Sequence, residues 1–218
     1  MLRADVSLRL TPFRWFSLGG ALGRSQGRND GNARPTTTVM RAEAGLRLRR
    51  TWVTGGIFRR DTAVIAPPII YDSTLVPIAS NQVTGAFANI RGFVWRAVGL
   101  DVTAMRWNQP GSYRPQYQTR TEVFARTNWL TRFPAGNFGV NASVIHEYRT
   151  AVSFPVAQPP ALSATQYRSI STLLELRLYD AVLSWQFRNI LGAIYQTVPG
   201  FEMPRAINFY GVRWDFFN

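Results

Sequence analysis

Hydrophobic and polar side chains alternate with a period of two along most of the chain. Between Met40 and Leu48, apolar residues stand at every second position and charged or small residues stand between them. The same alternation runs through 5–10, 98–104, 169–178 and 209–216. Successive side chains of a strand point to opposite faces of a sheet, so this period predicts strands with one apolar and one polar face.

The alternation, together with clusters of Gly, Pro, Asn and Ser between the periodic segments, predicts eleven strands. Segment 51–60 alternates poorly, and the sequence does not assign its two faces. The expected strands lie near 4–11, 15–24, 38–48, 51–60, 83–95, 98–107, 117–127, 138–149, 167–178, 181–189 and 206–216.

Connection lengths alternate as well. The connections after strands one, three, five, seven and nine are mostly short, whereas those after the even strands are long, as at 61–82 and 150–166. In an up-and-down sheet, alternate connections lie at the same edge, so all long loops meet on one side. Short turns on one side and long loops on the other are typical of outer-membrane barrels. We therefore predict an all-β, antiparallel, up-and-down transmembrane β-barrel; a soluble β-sandwich is the alternative.

Tryptophan positions agree with such a barrel. Aromatic residues form girdles where a barrel meets the membrane surface, and the seven Trp residues fall near strand ends or on the expected apolar face. They are Trp15, Trp52, Trp95, Trp107, Trp129, Trp185 and Trp214.

Composition excludes most chemistry. The 218 residues contain no Cys, which removes disulfides, thiolate metal sites and a cysteine nucleophile. His146 is the only histidine, so a Ser-His-Asp triad or a zinc site has little to draw on. An interfacial role explains His146, and a metal or proton role stays open. No nucleotide-binding or hydrolase motif is present, and we expect no catalytic residues and no cofactor.

All 25 basic residues are Arg, and they give a net charge of +13. They do not form a nucleic-acid patch, because they are spread one or two per strand on the face opposite the apolar one. We expect that face to line a wet barrel lumen, where the charges either pair across strands or contact a ligand. The candidate lumen-facing charges are Arg41, Glu43, Arg47, Arg91, Asp101, Arg120, Glu122, Arg126, Glu175, Arg177, Arg188, Arg213 and Asp215.

A second set of arginines lies near the long loops. These residues could contact lipopolysaccharide phosphates or an anionic substrate, and solvation alone also explains them. Segment 66–73 is too apolar for an idle exposed loop, so we expect it to pack over the barrel mouth or against a partner. The loop-side arginines are Arg24, Arg28, Arg34, Arg59, Arg60, Arg106, Arg114, Arg149 and Arg168.

The C-terminal sequence YQTVPGFEMPRAINFYGVRWDFFN, residues 195–218, resembles the end of TonB-dependent outer-membrane receptors, in which a "VPG…P-basic" loop leads into a last strand of the form "FxxGxRWxF". Segment 11–20, TPFRWFSLGG, resembles one of the periplasmic turns of that family. The alternating terminal aromatics also resemble the signal read by barrel-assembly machinery, which maps here onto Tyr210, Val212, Trp214 and Phe216.

The resemblance implies a 22-stranded barrel, an N-terminal plug and a contact with the TonB energy complex. Eleven is an odd number, and no export signal precedes the first strand, so we interpret residues 1–218 as one barrel segment, the C-terminal part of a receptor whose plug and other barrel half lie elsewhere. Its expected surroundings are the bacterial outer membrane, with its lipid and lipopolysaccharide, the barrel-assembly machinery and a TonB-type complex reached through the missing part.

Four functions are compatible with a barrel. The first is ligand uptake by a receptor that meets its ligand at 61–82 and 150–166; the ligand is not identified. The second is a passive, anion-favouring porin, which requires a closed barrel with an even number of strands. The third is a structural or adhesive surface barrel. The fourth, an outer-membrane hydrolase, is disfavoured by the single histidine.

Overall fold

The computed structural model describes residues 2–26, 36–65, 74–158 and 160–214, and every regular element among them is a strand. Within those ranges no helix is long and apolar enough to cross a membrane. The strands are β1 (Leu2–Phe13), β2 (Phe16–Gln26), β3 (Thr36–Leu48), β4 (Thr51–Arg60), β5 (Ala63–Ile65), β6 (Ile78–Ser80), β7 (Val83–Trp95), β8 (Val98–Trp107), β9 (Tyr117–Thr127), β10 (Phe138–Arg149), β11 (Val152–Phe154), β12 (Leu162–Ala164), β13 (Tyr167–Leu178), β14 (Ala181–Arg188), β15 (Tyr195–Val198), β16 (Phe201–Met203) and β17 (Ile207–Trp214).

Eleven of these strands form one sheet, in the order β1-β2-β3-β4-β7-β8-β9-β10-β13-β14-β17. Every neighbouring pair is antiparallel, so the sheet is an up-and-down meander. The predicted fold class is confirmed, and the eleven strands lie within about two residues of their expected bounds.

The remaining six strands form three small hairpins, β5-β6, β11-β12 and β15-β16. They lie inside the segments that the sequence predicts as long loops. Each strand in them is only three or four residues long, which is too short to show a period of two. The predicted alternation of connection lengths holds for most of the sheet, since β1-β2, β3-β4, β7-β8 and β13-β14 are joined by two-residue turns. The exception is β9-β10, whose connection, 128–137, is as long as the β8-β9 connection at the opposite edge. We call the opposite edge of the sheet the long-loop edge.

The strand register separates two faces. Residues paired directly across an antiparallel ladder share a face. Leu8, Gly20, Ala42, Ile57 and Ala86 form one such row, and the face they belong to is the apolar face. Side chains on it are exposed, as with Leu8 at 65% and Ile57 at 66%. Exposed apolar area on this scale fits a surface that meets lipid rather than water.

The register also assigns the faces of β4. Thr54, Gly56 and Phe58 belong to the opposite, polar face, while Ile57 belongs to the apolar face. Alternation is poor because glycines occupy the centre of the strand. At Gly56 a side chain is excluded, since an added Cβ would lie 2.7 Å from the ring of Phe87 on β7.

Two tryptophans contradict the expected girdle. Trp52 pairs with Arg47 and Arg91, and Trp107 pairs with Gly85, so both lie on the polar face. Their strand-end positions suggested an interfacial role, but the strand register places them on the side of the charges. Trp107 becomes part of the candidate site described below.

Candidate ligand-binding mouth

All predicted wall charges that the structure describes share the polar face. Direct cross-strand pairs such as Arg91 with Asp101 and Asp101 with Glu122, combined with the two-residue spacing along each strand, fix this assignment. Asp215 lies outside the described residues. Whether this face lines a lumen stays a prediction. The residues that share the polar face are Arg41, Glu43, Arg47, Arg91, Asp101, Arg120, Glu122, Arg126, Glu175, Arg177, Arg188 and Arg213.

Many of these wall charges pair with one another. Arg41 binds Glu43 at 2.8 Å along one strand, and Arg91 binds Asp101 at 2.8 Å across two. Arg120 binds Glu122 at 2.9 Å and lies 3.9 Å from Glu147. The guanidinium groups are about half exposed or more, so each pair contributes only about 0–1 kcal/mol to stability. The main effect of the paired charges is to make this face of the sheet favourable for contact with water.

Three strands are joined by a polar relay. Arg126 Nε donates to Asn141 Oδ1 at 3.1 Å, and Asn141 Nδ2 donates to Glu175 Oε2 at 2.6 Å. The relay crosses β9, β10 and β13 near the short-turn edge. Each member of the relay is therefore held by at least one of the others.

The long loops are tied to one another above the polar face. Tyr113 N donates to Ser153 O at 2.9 Å, and Val76 N donates to Pro155 O at 3.1 Å. The Tyr113 hydroxyl also bonds Val76 O and lies 3.2 Å from Pro155 O. Three separate loops therefore converge on one tyrosine. We call this assembly the loop platform.

The loop platform has a hydrophobic core of its own. Leu75, Val152, Phe154 and Ala164 form a cluster in which no residue is more than 7% exposed. Tyr113 packs edge-on against Phe154, with 5.6 Å between ring centres. Burial of this kind fixes loop conformation, because opening the loops would expose apolar area at about 25 cal/mol per Å².

An arginine-aromatic ladder links the wall to the loop platform. Arg41 lies 4.0 Å from the ring centre of Phe87, and Phe87 packs against Phe58 at 6.4 Å. Phe58 meets Trp107 edge-on at 4.6 Å, and the Arg114 guanidinium stacks over Trp107 at 4.4 Å. The ladder brings Arg114, from the 108–116 loop, onto the polar face.

Arg60 completes a cationic cluster at the top of the ladder. Its guanidinium lies 5.5 Å from the Trp107 ring and donates to Ser80 Oγ at 3.2 Å. Neither Arg60 nor Arg114 has an acidic partner among the described residues. Burial lowers the pKa of Arg114, and the positive charge of Arg60 lowers it further. An anion bound here would relieve the repulsion between the two cations. We call Arg60, Trp107 and Arg114 the mouth cluster.

Another half-buried arginine, Arg149, lies at the end of β10. Arg149 Nη2 donates to Gln196 O at 2.7 Å and to Thr197 O at 3.0 Å, which ties the last long loop to β10. Tyr167 stacks on Tyr195 at 4.2 Å, and Arg149 lies 4.9 Å from the Tyr167 ring. Burial, followed by the charge of Glu147, raises the pKa of Tyr195. Its backbone acceptors make Arg149 a structural clamp rather than a free cation.

The structure separates the loop-side arginines that the sequence treats as one set. Arg60 and Arg149 share the polar face, whereas Arg24, Arg59, Arg106 and Arg168 share the apolar face. Arg28 and Arg34, like segment 66–73, lie outside the described residues. Adjacent arginines such as Arg59 and Arg60 look alike in sequence, and only the strand register distinguishes them.

His146 and the C-terminal aromatics lie on the apolar face. His146 pairs with Thr121 and Ile170, and no cluster of potential metal ligands occurs among the described residues. Tyr210 and Val212 are 76% and 70% exposed on β17. Trp214 shares their face, and Phe216 lies outside the described residues. Recognition of this edge by barrel-assembly machinery stays a prediction.

Solved structures share this architecture at low sequence identity. The FrpB iron transporter from Neisseria meningitidis (F3-3 variant) has a TM-score of 0.68 at 8% identity, over 96% of this chain and 38% of that one. The ferric yersiniabactin uptake receptor FyuA from Yersinia pestis has a TM-score of 0.63 at 10% identity, over 98% and 37%. BauA, the ferric preacinetobactin receptor from Acinetobacter baumannii, has a TM-score of 0.60 at 11% identity, over 95% and 35%.

These neighbours are TonB-dependent receptors. The chain has the fold of part of their barrel wall. It spans a little over a third of the length of each of them. No protein-family model and no curated protein matches the sequence. The similarity to the three solved structures confirms the predicted resemblance at the level of fold.

Proposed function

We propose that the chain forms the barrel wall and extracellular loops of a TonB-dependent outer-membrane receptor for an anionic ligand, and that it acts by binding and passage without catalysis. The observation that carries this proposal is the mouth cluster. It presents two arginines that have no acidic partner in the part of the chain that the structure describes, and Arg114 directly follows Tyr113 of the loop platform, which has its own core. Guanidinium groups bind carboxylate, phosphate and similar oxyanions well.

The ligand class that fits best is a ferric chelate with a net negative charge. The names of the structural neighbours refer to iron, ferric yersiniabactin and ferric preacinetobactin. Trp107 adds an aromatic surface beside the two cations, which suits a ligand with flat, polarisable groups.

A self-contained porin is the weaker candidate. In the described sheet, β1 and β17 are the two edges, and each is paired on one side only, β1 with β2 and β17 with β14. With eleven antiparallel strands the two edges run in the same direction, so they cannot close on each other as an antiparallel pair. Closure requires an odd number of further strands. Unpaired edges in lipid are costly, which favours a larger receptor barrel.

The test is uptake by the full-length receptor in cells that lack their own ferric-chelate receptors. We expect radiolabelled iron uptake that stops when the TonB complex is deleted. R60Q/R114Q should reduce uptake on the order of tenfold or more, because two charge-assisted contacts are lost. R168Q is the matched control, an exposed arginine on the apolar face, and should leave uptake unchanged. Uptake that continues without TonB would refute the proposal and favour a passive channel.

A further inference from the structure

The apolar face is not uniformly apolar near the long-loop edge. An open groove of about 800 Å³ lies across β3, β4, β7 and β8. Its floor is made of short or aliphatic side chains, and its upper end is polar. The residues that matter here are Ala42, Ile57 and Ala86 on the floor, and Arg59, Arg106 and Asn108 at the upper end.

The strand register places both arginines at the end of the groove. Ile57, Ala86 and Arg106 are paired across three adjacent strands, and Arg59 pairs with Thr84 one row nearer the loops. Arg59 is the last residue but one of β4, and Arg106 holds the same position in β8. Both side chains therefore lie just where the strands give way to long loops.

The local charge is positive. Arg59 is held by Gln82 Oε1 at 2.9 Å and by the carboxylate of Asp61 at 3.5 Å. Arg106 has neither a hydrogen bond nor an ion pair from its side chain to any part of the chain that the structure describes. Two cations against one carboxylate leave a net charge of about +1, with Arg106 as the free donor.

Position along the strand selects the occupant. An arginine on the lipid face is costly at the centre of a bilayer and nearly neutral at its interface, so Arg59 and Arg106 belong at the level of the headgroups. Long loops of outer-membrane barrels are extracellular, so that interface is the outer one. A ligand that places an anion on the two guanidinium groups and hydrocarbon on Ala42 and Ala86 is complementary to the groove.

We propose that this groove binds a phosphorylated lipid of the outer leaflet, the lipid A portion of lipopolysaccharide. A headgroup phosphate lies between Arg59 and Arg106, and an acyl chain lies along the floor over Ala42, Ile57 and Ala86. The inference rests on the proposed orientation of the sheet in the outer membrane. It concerns the apolar face, whereas ligand uptake concerns the polar face and the mouth cluster.

The test is native mass spectrometry of the full-length receptor, purified in detergent and titrated with diphosphoryl lipid A. Wild type should retain the lipid, and R59Q/R106Q should bind it on the order of tenfold more weakly, because both phosphate contacts are lost. R168Q replaces an arginine that lies on the same face but does not line the groove, and this variant should bind the lipid like wild type. A86L keeps both charges and obstructs the floor, and it should also weaken binding.

Three results would overturn the site. R59Q/R106Q could bind like wild type, R168Q could lose as much affinity as the double variant, or fully dephosphorylated lipid A could bind as well as the diphosphoryl form. The last result would mean that the groove takes any acyl chain. Ferric-chelate uptake, measured on the same variants, separates the proposals. Normal uptake with unchanged lipid binding in R59Q/R106Q refutes only the lipid site, and absent wild-type uptake refutes only the proposed function.

Discussion

Tyr113 is the residue on which the loop platform depends most directly, and Tyr113→Phe tests that role. The substitution keeps the ring and its edge-on contact with Phe154 but removes the hydroxyl that bonds Val76 O and lies near Pro155 O. Loss of a half-buried hydrogen bond costs about 1–2 kcal/mol. The population of opened loops should therefore rise about 5- to 30-fold.

Hydrogen exchange measures this opening directly. Two amides report on the platform, since Tyr113 N donates to Ser153 O and Val76 N donates to Pro155 O. In the full-length receptor, peptides covering 74–77 and 112–114 should exchange about 5- to 30-fold faster after the substitution. The exchange rates of peptides from β7 should not change, because their amides are hydrogen-bonded within the wall and not in the loop platform.

Tyr148→Phe is the matched control for Tyr113→Phe. The Tyr148 hydroxyl makes a single exposed contact with Gln166 at 3.5 Å, which is too long to contribute much. It should leave exchange in the loops unchanged. The reasoning would be refuted if Tyr113→Phe left exchange at 74–77 unchanged, or if the wall exchanged faster to the same extent.

Three further predictions concern the wall and the last loop. Gly56→Ala should lower the urea midpoint of unfolding, at a cost of about 1–3 kcal/mol, because its Cβ would meet a neighbouring aromatic ring at 2.7 Å. Gly20→Ala should leave the midpoint unchanged, because its Cβ would lie 3.8 Å from its nearest neighbour, an ordinary van der Waals contact. Asn141→Leu should destabilise more than Glu175→Gln in the same assay, because it breaks the relay on both sides. Comparing the tyrosinate titrations of wild type and Tyr195→Phe isolates the titration of Tyr195, whose midpoint should lie above pH 10 because burial raises its pKa. The part of the free energy of unfolding that depends on the neutral phenol should be full below pH 10 and should fall as pH rises through the raised pKa. A midpoint at or below 10 would contradict the last expectation.

The wall could be predicted from sequence because each of its strands meets two different environments. An amphipathic strand shows its facing in its own residues, as Met40 to Leu48 do. The turns can also be predicted from residues that are adjacent in the sequence. The faces of β4 could not be assigned because its alternation is interrupted by glycine, and the glycine at position 56 is required by the Phe87 ring on the next strand.

The mouth cluster could not be predicted in the same way. Arg60 and Arg114 are 54 positions apart, and they meet on Trp107 only after the strand register and the 108–116 loop are both set. Trp107 itself looked like a girdle residue. Contacts such as Tyr113 with Pro155 leave no periodic trace, because loop residues have no regular facing.

The parts of this molecule that carry its stability differ from the parts that we propose to bind the ligand. The wall has few buried side chains, and its strands are held by backbone ladders that lipid would reinforce, since no water competes for those hydrogen bonds. Among the described residues, a buried hydrophobic cluster around Phe154 and Ala164 lies in the loops instead. Loops with a core of their own can hold Arg114, which shares the Trp107 ring with Arg60, in a fixed position before any ligand arrives, and so reduce the entropy lost on binding. Substitutions in that core should therefore weaken ligand capture while the barrel wall still assembles.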